Sequence, residues 1–489
     1  MTKLNDQRQF RQQKLKNLQK NGFNFPKSTF EHDNLVEIKK KFSEKSQQFF
    51  LEHKIKIAFA GRLIRQRGPF FIIFSQGINF QAYVSKQFQL ENGFIFSNLD
   101  LGDIVEISGY LFKTQTDQIS VKVDTFSILA KSLHTLPDQY YGIENHDEKY
   151  RKRYLNLLVD PESRKTFIIR SKIISLIRNF FDSQGFLEVD TPVLQPPILG
   201  GAAAKPFITF YNSLNENFYL RIATELPLKK LLVGGFDRVY EIGKIFRNEG
   251  FDATHNPEFT SIEFYQAYAD LNKIMAQTEN LFRFLFKNLN LNLENFNFSN
   301  HKINFLEKFA RFDMVEITSK LMNFELKTAN FSTLAEIAKK EGIKMEPFFT
   351  KGHLINKFFE KFVEPTLINP TFITGHPIEI SPLAKSDPLN PNFTLRAELF
   401  IGGKEFANMF DELNDPIDQL SRFQAQINEK NKGNQEASEI DYEFVKALEH
   451  GMPPAAGCGI GIDRVVMLLT NNESIREVIL FPQLKSKKD

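Results

Sequence analysis

The sequence predicts an α+β protein with an N-terminal barrel followed by a larger sheet domain. Short β-rich runs separated by glycines fill residues 55–131. Further along, the segments Asp237–Asp270 and Arg396–Glu412 have the alternation and the polar or glycine-rich turn of antiparallel hairpins. A helical repeat of apolar residues over Pro161–Phe181 precedes both hairpins. We therefore expect an antiparallel sheet flanked by helices after the barrel.

The composition is that of an ordinary globular protein of two or three domains. The 489 residues are 42% hydrophobic and 25% charged, and the formal net charge is only +3, so any nucleic-acid contact must come from local patches. A single cysteine excludes an intramolecular disulfide and disfavours a cysteine zinc site. Met1–Lys20 lacks the apolar core of a signal peptide, and no apolar run is long enough to span a bilayer. A cytoplasmic enzyme is expected.

Residues 1–54 form a charged N-terminal extension that is predicted to be partly helical. Its first twenty residues contain one acid, Asp6, and six cations: Lys3, Arg8, Arg11, Lys14, Lys16 and Lys20. We interpret these cations as a solvated helix face, and a basic arm that contacts RNA phosphates is the alternative.

Residues 55–131 predict a five-stranded barrel of the OB type, a fold whose face binds oligonucleotides. The strands are expected at Ile55–Phe59, Phe70–Phe74, Asn79–Val84, Ile104–Tyr110 and Ile119–Val123, punctuated by Gly61, Gly68, Gly77, Gly102 and Gly109. Candidate phosphate and base-stacking partners are Arg62, Arg65, Arg67, Phe70, Phe71 and Phe80. The phenylalanines have a second interpretation, as the core of the barrel.

The Asp237–Asp270 segment is the centre of the predicted site. Strand alternation places Phe259, Glu263 and Tyr265 on one face, with Ser261, and apolar residues on the other. Arg247 closes the first strand near this polar face. From the residues alone, a hairpin with one solvated side explains the pattern equally well.

Two acids of the second hairpin are candidate metal ligands. A turn at Gly402–Gly403 would bring Glu398 and Glu405 together on two strands, whereas a helix would align them with Glu412 in one acidic stripe. Carboxylate oxygens suit Mg²⁺ that is bound to substrate phosphates. Solvated surface acids are the alternative interpretation.

Three glycines at alternate positions, Gly457, Gly459 and Gly461, predict a strand face without side chains, against which a flat ligand can lie. No Rossmann turn or Walker A sequence occurs. We expect Asp463 to cap the following helix. Arg464, in the first turn of that helix, has no apolar reason for its position.

These segments resemble the signature motifs of class II aminoacyl-tRNA synthetases, in the subgroup that contains the lysine, aspartate and asparagine enzymes. The resemblance is carried by motif 1 at about 173–192, motif 2 at about 237–268 with Phe246–Gly250 and His255–Thr260, and motif 3 at about 457–470 with Gly457–Arg464. It implies a hinge at 132–160, a catalytic domain at 161–489 with a helical insertion at about 271–364, and a homodimer.

The resemblance also implies roles in catalysis. The amino-acid carboxylate attacks the α-phosphorus of ATP, so catalysis depends on positioning and on neutralising anions. Arg247 would bridge the carboxylate and the α-phosphate, and Arg464 would contact the outer phosphates and the adenine. The catalytic and ATP-binding set is Arg247, Glu249, His255, Asn256, Phe259 and Arg464, and Glu398 and Glu405 would hold Mg²⁺ bound with ATP.

Within the subgroup the chain is most similar to the lysine enzymes, because a Gly-Gly-Ala loop at Gly200–Ala202 and a glutamate at 225 occupy positions where aspartyl enzymes differ. The implied substrates are ATP, L-lysine and tRNA(Lys). The implied lysine-binding residues are Gly201, Glu225, Glu263, Tyr265, Asn408, Phe410 and Glu412. An aspartate enzyme would need a cation in this pocket, and we identify none in the sequence.

On the barrel, the resemblance makes Arg62, Phe71 and Gln81 candidates for reading the anticodon, and Gln118 stands where the family has glutamate. Three other functions stay open: an aspartyl- or asparaginyl-type synthetase, a tRNA-independent paralogue such as an amide ligase or protein lysyltransferase, and an OB-fold RNA-binding protein or scaffold with an inactive catalytic domain. The Gly-Gly-Ala loop disfavours the first, the barrel the second, and the intact Arg247 and Arg464 the third.

Overall fold

The structure is a computed structural model that describes residues 2–137, 142–143, 145–196, 204–434 and 440–486. The chain separates into two compact units, Met1–Glu144 and Asn145–Asp489, and the division falls inside the segment that resembles a hinge. Among the described residues, no helix combines the length and the apolar composition that a bilayer span requires.

The first unit is built on a closed five-stranded barrel. Its strands are β1 Lys56–Arg67, β2 Phe70–Ser75, β3 Ile78–Tyr83, β4 Ile104–Lys113 and β5 Ile119–Ala130, and its helices are α1 Thr2–Lys20, α2 Leu35–Phe42, α3 Gln47–Glu52, α4 Lys86–Glu91 and α5 Gly93–Asn98. The order around the barrel is β1-β2-β3-β5-β4, with β3 and β5 parallel and the other neighbours antiparallel. The predicted OB barrel is therefore confirmed.

Gly61, which was expected to follow a strand, lies inside β1, and Gly109 lies inside β4. A Cβ on Gly61 would stand 2.6 Å from the carbonyl oxygen of Phe74, and one on Gly109 would stand 2.0 Å from that of Lys122. The pairing register shifts close to both positions. These glycines therefore permit close strand contact at bulges instead of ending the strands.

The cations of α1 do not form a single solvated face. The Arg11 guanidinium is buried and donates hydrogen bonds to the carbonyl oxygens of Leu101, Ser132 and His134 at 3.0–3.1 Å. Lys14 lies 2.7 Å from a carboxylate oxygen of Asp100. The interpretation as a solvated face is therefore wrong for these two residues, which fasten α1 to the barrel.

The segment before α2 is fastened to the barrel by one buried acid. Glu106 of β4 accepts hydrogen bonds from the backbone and hydroxyl of Thr29, from the Ser28 hydroxyl and from His32. Burial alone would raise the pKa of Glu106, but these hydrogen bonds lower it to about 2.

The second unit contains fourteen described strands and twelve described α-helices. The strands are β6 Leu187–Glu188, β7 Leu194–Gln195, β8 Ile208–Tyr211, β9 Glu216–Leu220, β10 Arg238–Phe246, β11 Glu258–Ala267, β12 Phe296–Phe298, β13 His301–Ile303, β14 Ala310–Asp313, β15 Thr371–Pro377, β16 Ser386–Asp387, β17 Asn390–Ile401, β18 Lys404–Asp411 and β19 Ala455–Gly461. The helices are α6 His146–Arg151, α7 Arg153–Val159, α8 Pro161–Asp182, α9 Glu225–Val233, α10 Leu271–Asn288, α11 Met314–Met322, α12 Phe331–Lys340, α13 Lys351–Phe362, α14 Pro416–Asn431, α15 Tyr442–Glu449, α16 Ile462–Leu469 and α17 Ile475–Val478.

A nine-stranded sheet organises this unit. Its order is β14-β15-β17-β18-β19-β11-β10-β6, with β16 paired to β17. The pairings are antiparallel except those of β14 with β15 and β10 with β6. The predicted antiparallel sheet is confirmed, and the turn between β17 and β18 is made by Gly402 and Gly403, whose φ angles of 59° and 68° favour glycine.

One face of the sheet packs on helices and forms the core. Ile262 and Phe264 of β11 are fully buried against apolar residues of α8, α10 and α16. The motif 1 helix α8 begins after the capping residue Asp160, and the strand expected behind it is only the two residues of β6. Functional side chains can therefore project only from the opposite face of the central strands.

The segment that resembles a helical insertion, 271–364, has two structural parts. Its first helix, α10, packs into the main core, and β14 pairs with β15 of the main sheet. Helices α11, α12 and α13 form a separate apolar cluster with Ile373 and Phe400. The insertion is therefore partly integrated into the sheet domain.

Candidate active site

The pairing register brings the predicted site residues into neighbouring rows on the open face of the sheet. Across four strands, Glu263 lies opposite Gly459, Gly459 opposite Asn408, and Asn408 opposite Glu398. Because residues in register project to the same side of a sheet, this row lines one floor.

The neighbouring row shows why glycine is needed in β19. Tyr265 pairs with Gly457, which pairs with Phe410. A Cβ on Gly457 would stand 2.3 Å from the Tyr265 ring and 2.7 Å from Glu412 Oε1. The space over Gly457 is thus filled by the protein's own side chains. At Gly459, the nearest atom to an added Cβ is 3.5 Å away, so ligand space remains there.

A cleft of about 400 Å³ opens over this floor. The predicted residues that line it are Glu225, Arg247, Glu249, His255, Asn256, Phe259, Glu263, Tyr265, Glu405, Asn408, Phe410 and Arg464. Glu398 and Glu412 do not line the cleft itself. Glu398 contacts Arg396, and Glu412 contacts Lys229. Gly201 lies outside the described residues.

Arg247 is placed to bind an anion in this cleft. Its guanidinium lies over the Phe259 ring, 5.3 Å from the ring centroid. Its Nε is buried and has no hydrogen-bond partner among the described residues. A buried guanidinium donor without a protein acceptor suits a carboxylate or phosphate oxygen of a ligand.

The predicted metal ligands lie beside two arginines, and Glu405, but not Glu398, lines one end of the cleft. Glu398 Oε1 is 2.5 Å from Arg396 Nη2, and Glu405 Oε2 is 3.7 Å from Arg464 Nη1. Partial burial and the charge of Glu398 raise the pKa of Glu405. No group of three or more metal-ligating side chains occurs in the described ranges. Two carboxylates fit Mg²⁺ only if phosphates and water complete its coordination.

The other end of the cleft is an acidic pocket. Glu263 is buried and accepts hydrogen bonds from the Thr224 backbone at 3.0 Å and the Tyr265 hydroxyl at 3.1 Å. Burial, and then the charge of Glu225, raise the pKa of Glu263 to about 7. A buried carboxylate in this state is stabilised by an arriving cation.

A buried lysine joins two further acids of this pocket. Lys229 Nζ lies 2.6 Å from Glu225 Oε1, forms an ion pair with Glu412, and is 5.1 Å from the centroid of the Phe410 ring. Its side chain is fully buried. The sequence interpretation that this pocket contains no cation is therefore wrong. The four-residue spacing of Glu225 and Lys229 on a helix was the signal that could have revealed it.

Comparison with known proteins decides the family. The family described as tRNA synthetases class II (D, K and N) matches residues 145–485. The chain belongs to these class II tRNA synthetases. The synthetase is 83% identical, over 100% of its length and 99% of the relative, to a protein of Mesomycoplasma hyopneumoniae strain J named lysine–tRNA ligase. Proteins with that name from Mycoplasma mobile and Onion yellows phytoplasma are 54% and 48% identical, over 99% of this chain and 99% and 96% of their own.

The expected cap at Asp463 is wrong, and its actual contacts join motif 3 to motif 2 and to helix α8. The carboxylate accepts a hydrogen bond from the Thr260 backbone at 2.7 Å and lies 2.5 Å from Arg170 Nη1. Helix α16 has no side-chain cap at its start. Asp463 therefore ties the helix that carries Arg464 to strand β11 and to helix α8 of the synthetase.

The loop between β10 and β11 uses two of its predicted ligand residues internally. Asn256 donates a hydrogen bond to the Glu258 carbonyl oxygen at 2.6 Å, and His255 Nδ1 lies 2.9 Å from Asp252. Burial opposes ionisation of Asp252, but the hydrogen bonds from His255 and Thr254 outweigh it and lower the pKa of Asp252. His255 is exposed at the cleft, where its hydrogen bond with Asp252 orients its ring.

On the barrel of the synthetase, one of the three predicted anticodon residues is misplaced for base stacking. Phe71 is completely buried in the barrel core, so its prediction as a stacking residue is wrong, because alternation along β2 turns it inward. Arg62 donates a hydrogen bond to the Gly102 carbonyl oxygen at 2.7 Å. Only Gln81 lines the open groove of about 820 Å³ on the barrel, where Phe70, Tyr83, Phe112, Arg65, Arg67 and Lys122 also lie.

Proposed function

We propose that this protein is a lysine–tRNA ligase, which activates L-lysine with ATP to lysyl-adenylate and pyrophosphate and then transfers the lysyl group to the 3′-terminal adenosine of tRNA(Lys). The single observation that carries the proposal is the pairing of Arg247, an anion-binding group, with a pocket of buried carboxylates in the same cleft. A zwitterion with a cationic side chain satisfies both ends. The names of the full-length relatives support the same reaction.

Lysine is bound by charge complementarity. Glu263 and Tyr265, which line the cleft, hold the ε-ammonium, and the buried Glu412 near Tyr265 adds its negative charge. Glu225 holds the α-amine. Asn408 and Phe410 line the side of the pocket between them. Burying an ammonium together with carboxylates costs less desolvation free energy than burying either charge alone, because the partner charge replaces the water that each group loses. A neutral or anionic side chain would leave the Glu263 carboxylate unpaired.

Adenylation follows from positioning in this cleft. One lysine carboxylate oxygen attacks the α-phosphorus, the bond to the β-phosphate oxygen breaks, and pyrophosphate leaves. Arg247 holds the carboxylate and the α-phosphate together, since its planar fork can contact both. Arg464, with His255 and Glu249 nearby, contacts the outer phosphates and the adenine, and Phe259 supports the ring. No general base is needed, because the carboxylate is already ionised.

A magnesium ion bound with ATP would be held by Glu398 and Glu405, and would supply charge neutralisation on the phosphates. Burial and then the charge of Glu398 raise the pKa of Glu405, and such a cation would relieve the repulsion between the two carboxylates. In the second step, a ribose hydroxyl of the terminal adenosine attacks the lysyl carbonyl carbon, and AMP leaves.

The tRNA anticodon is proposed to bind the open groove of the barrel. The tilted rings of Phe70 and Tyr83 have centroids 5.3 Å apart, those of Tyr83 and Phe112 meet edge to face at 6.1 Å, and Gln81 lines the same groove. Partly exposed rings next to Arg65 and other cations suit stacked bases and a phosphate backbone. The substrates fit a cytoplasmic enzyme.

A homodimer is proposed through the motif 1 side of the second unit. Large apolar side chains are exposed on α8 and on the strands that follow it along the described chain: Ile168 at 69% on α8, Leu187 at 48% on β6, Leu194 at 50% on β7, and Ile208 at 61% and Phe210 at 55% on β8. Exposed large apolar residues of this kind suit an association surface. A second copy of the chain is the occupant that the resemblance to motif 1 implies.

Amino-acid-dependent exchange of pyrophosphate into ATP tests the proposal. Each of the twenty amino acids is supplied separately with Mg²⁺, and lysine is expected to support exchange by orders of magnitude more than the others. Charging of unmodified tRNA(Lys) transcript then tests the transfer step. Exchange that depends on aspartate or asparagine, or exchange with lysine without tRNA charging, would replace this proposal by one of its alternatives.

A further inference from the structure

Among the described residues, the acidic pocket contains more buried carboxylates than buried cations. Three carboxylates, Glu225, Glu263 and Glu412, are at least nine-tenths buried, and one ammonium, Lys229, is buried among them. Arg396 lies nearby, but its guanidinium is engaged by Glu398, Asn408 and the Ile380 carbonyl oxygen. With all four groups ionised, the pocket therefore carries two uncompensated negative charges.

Two is also the number of ammonium groups on free lysine. Its carboxylate is assigned to Arg247, outside the acidic pocket, so the α- and ε-ammonium groups are what the pocket must neutralise. With Lys229 included, three cations meet three carboxylates. Without Lys229, two substrate cations would meet three buried carboxylates, and one carboxylate would stay unpaired, which is strongly destabilising for a buried charge.

We propose that Lys229 is a positioning residue for lysine recognition: it neutralises one pocket acid and fixes the Glu225 and Glu412 carboxylates for the substrate's two ammonium groups. This inference rests on the proposed function. Lys229 does not touch the reacting atoms. It acts through Glu225 on its own helix and through Glu412 next to β18, which approach it from two elements.

The geometry supports a charged role for Lys229 and not only a space-filling one. The ammonium contacts both carboxylates and lies over the Phe410 ring, so each face of the cation has an electrostatic partner. Burial would lower the pKa of Lys229, but the Glu225 and Glu412 carboxylates outweigh it and raise it. Other ionisable groups facing this cluster are Glu263, Tyr265, Arg396 and Asp411.

Chemical rescue tests the proposal. The variant Lys229→Ala lacks the three terminal methylenes and the ammonium, which n-propylammonium replaces. We expect the KM for lysine in pyrophosphate exchange to rise about tenfold or more, with the KM for ATP changed less than about twofold. Tens of millimolar n-propylammonium should restore much of the lysine KM in Lys229→Ala and should not improve the wild type. The neutral isostere 1-propanol should restore nothing.

Controls separate this inference from stability and from the proposed function. Lys230→Ala removes a half-exposed lysine of the same helix and should leave the lysine KM unchanged. If Lys229→Ala does not fold, Lys229→Met, which keeps the volume and loses the charge, carries the same KM comparison. Equal rescue by 1-propanol, or an unchanged lysine KM in a folded Lys229→Met, would overturn the inference. Failure of the wild type to use lysine would instead reject the proposed function.

Discussion

The substitution Glu263→Gln separates recognition from folding, because it removes one charge and keeps the size of the side chain. Glu263 is buried, with the Thr224 backbone and the Tyr265 hydroxyl as its partners. The glutamine oxygen can accept the hydrogen bond from the Thr224 backbone, and the glutamine amide can donate one to the Tyr265 hydroxyl oxygen. What is lost is the attraction between the carboxylate and the substrate ε-ammonium, a charge-assisted contact in a closed pocket worth about 3–4 kcal/mol when one partner is removed.

That loss corresponds to a fall of about 10²–10³-fold in kcat/KM for lysine-dependent exchange. The free energy of unfolding, in contrast, should be unchanged or higher in Glu263→Gln at high pH. The folded-state pKa of Glu263 is about 7, above the unfolded value of 4.5, so ionisation on going to high pH opposes folding. The stability linked to this carboxyl is fully present below about pH 4.5 and is lost as the pH rises through about 7, by at most ~3 kcal/mol.

The assay is therefore a pair of measurements on one variant. Glu263→Gln should lose exchange activity and should have a Tm at pH 8 equal to or above that of the wild type without substrate. Glu258→Gln, on the same strand but half-exposed and paired with Lys244 at 3.2 Å, is the matched control and should keep both properties. Activity of Glu263→Gln within about threefold of the wild type would refute the pocket assignment. A Tm deficit larger at pH 8 than at pH 6 would refute the electrostatic reasoning.

Three further predictions concern other parts of the molecule. Gly457→Ala should abolish lysine binding and lower the Tm, because its Cβ would stand 2.3 Å from the Tyr265 ring. Gly459→Ala, whose Cβ would be 3.5 Å from the nearest atom, should keep the Tm of the wild type. Thermal melts of the two variants check this difference. The hydrogen bonds to the Glu106 carboxylate should stabilise the first unit fully above about pH 4.5, and this stabilisation should be lost as the pH falls toward about 2. Glu106→Gln should therefore remove this step from an acid titration followed by circular dichroism. Phe70→Ala should raise the KM for tRNA with little change in Tm, whereas Phe71→Ala should cost about 3–5 kcal/mol of stability; the reverse pattern would contradict the assignment of Phe70 to the groove and Phe71 to the core.

The fold could be predicted where one periodicity dominates. Alternation in β11 assigned Glu263 and Tyr265 to the open face and Phe264 to the core, and the structure has both as predicted. The turn at Gly402–Gly403 could also be predicted, because two consecutive glycines favour a hairpin turn in which both residues have positive φ, as they do in the structure. The chemistry of the cleft was predictable for the same reason, since the motifs sit on these strands.

Long-range partners could not be predicted, because their geometry is set by how separate elements pack. The contact of Lys229 with Glu412 joins a helix to a strand end 183 residues later (412 − 229). Asp463 was expected to cap its own helix, yet its carboxylate meets Thr260 and Arg170 of distant elements. For Phe71, the local pattern allowed both an inward and an outward orientation, and only the closure of the barrel decides which phenylalanine is enclosed.

The site is built from a row of paired residues across β11, β19 and β18. A change in the length of one of these strands would therefore damage it more than a change of one side chain. Deleting one residue in the middle of β11 would exchange inward and outward positions for the rest of the strand, so Phe264 would face the lysine pocket and Tyr265 would enter the apolar core. Point substitutions here weaken binding by degrees, whereas a single-codon deletion would remove the acidic pocket and disrupt the core in one event.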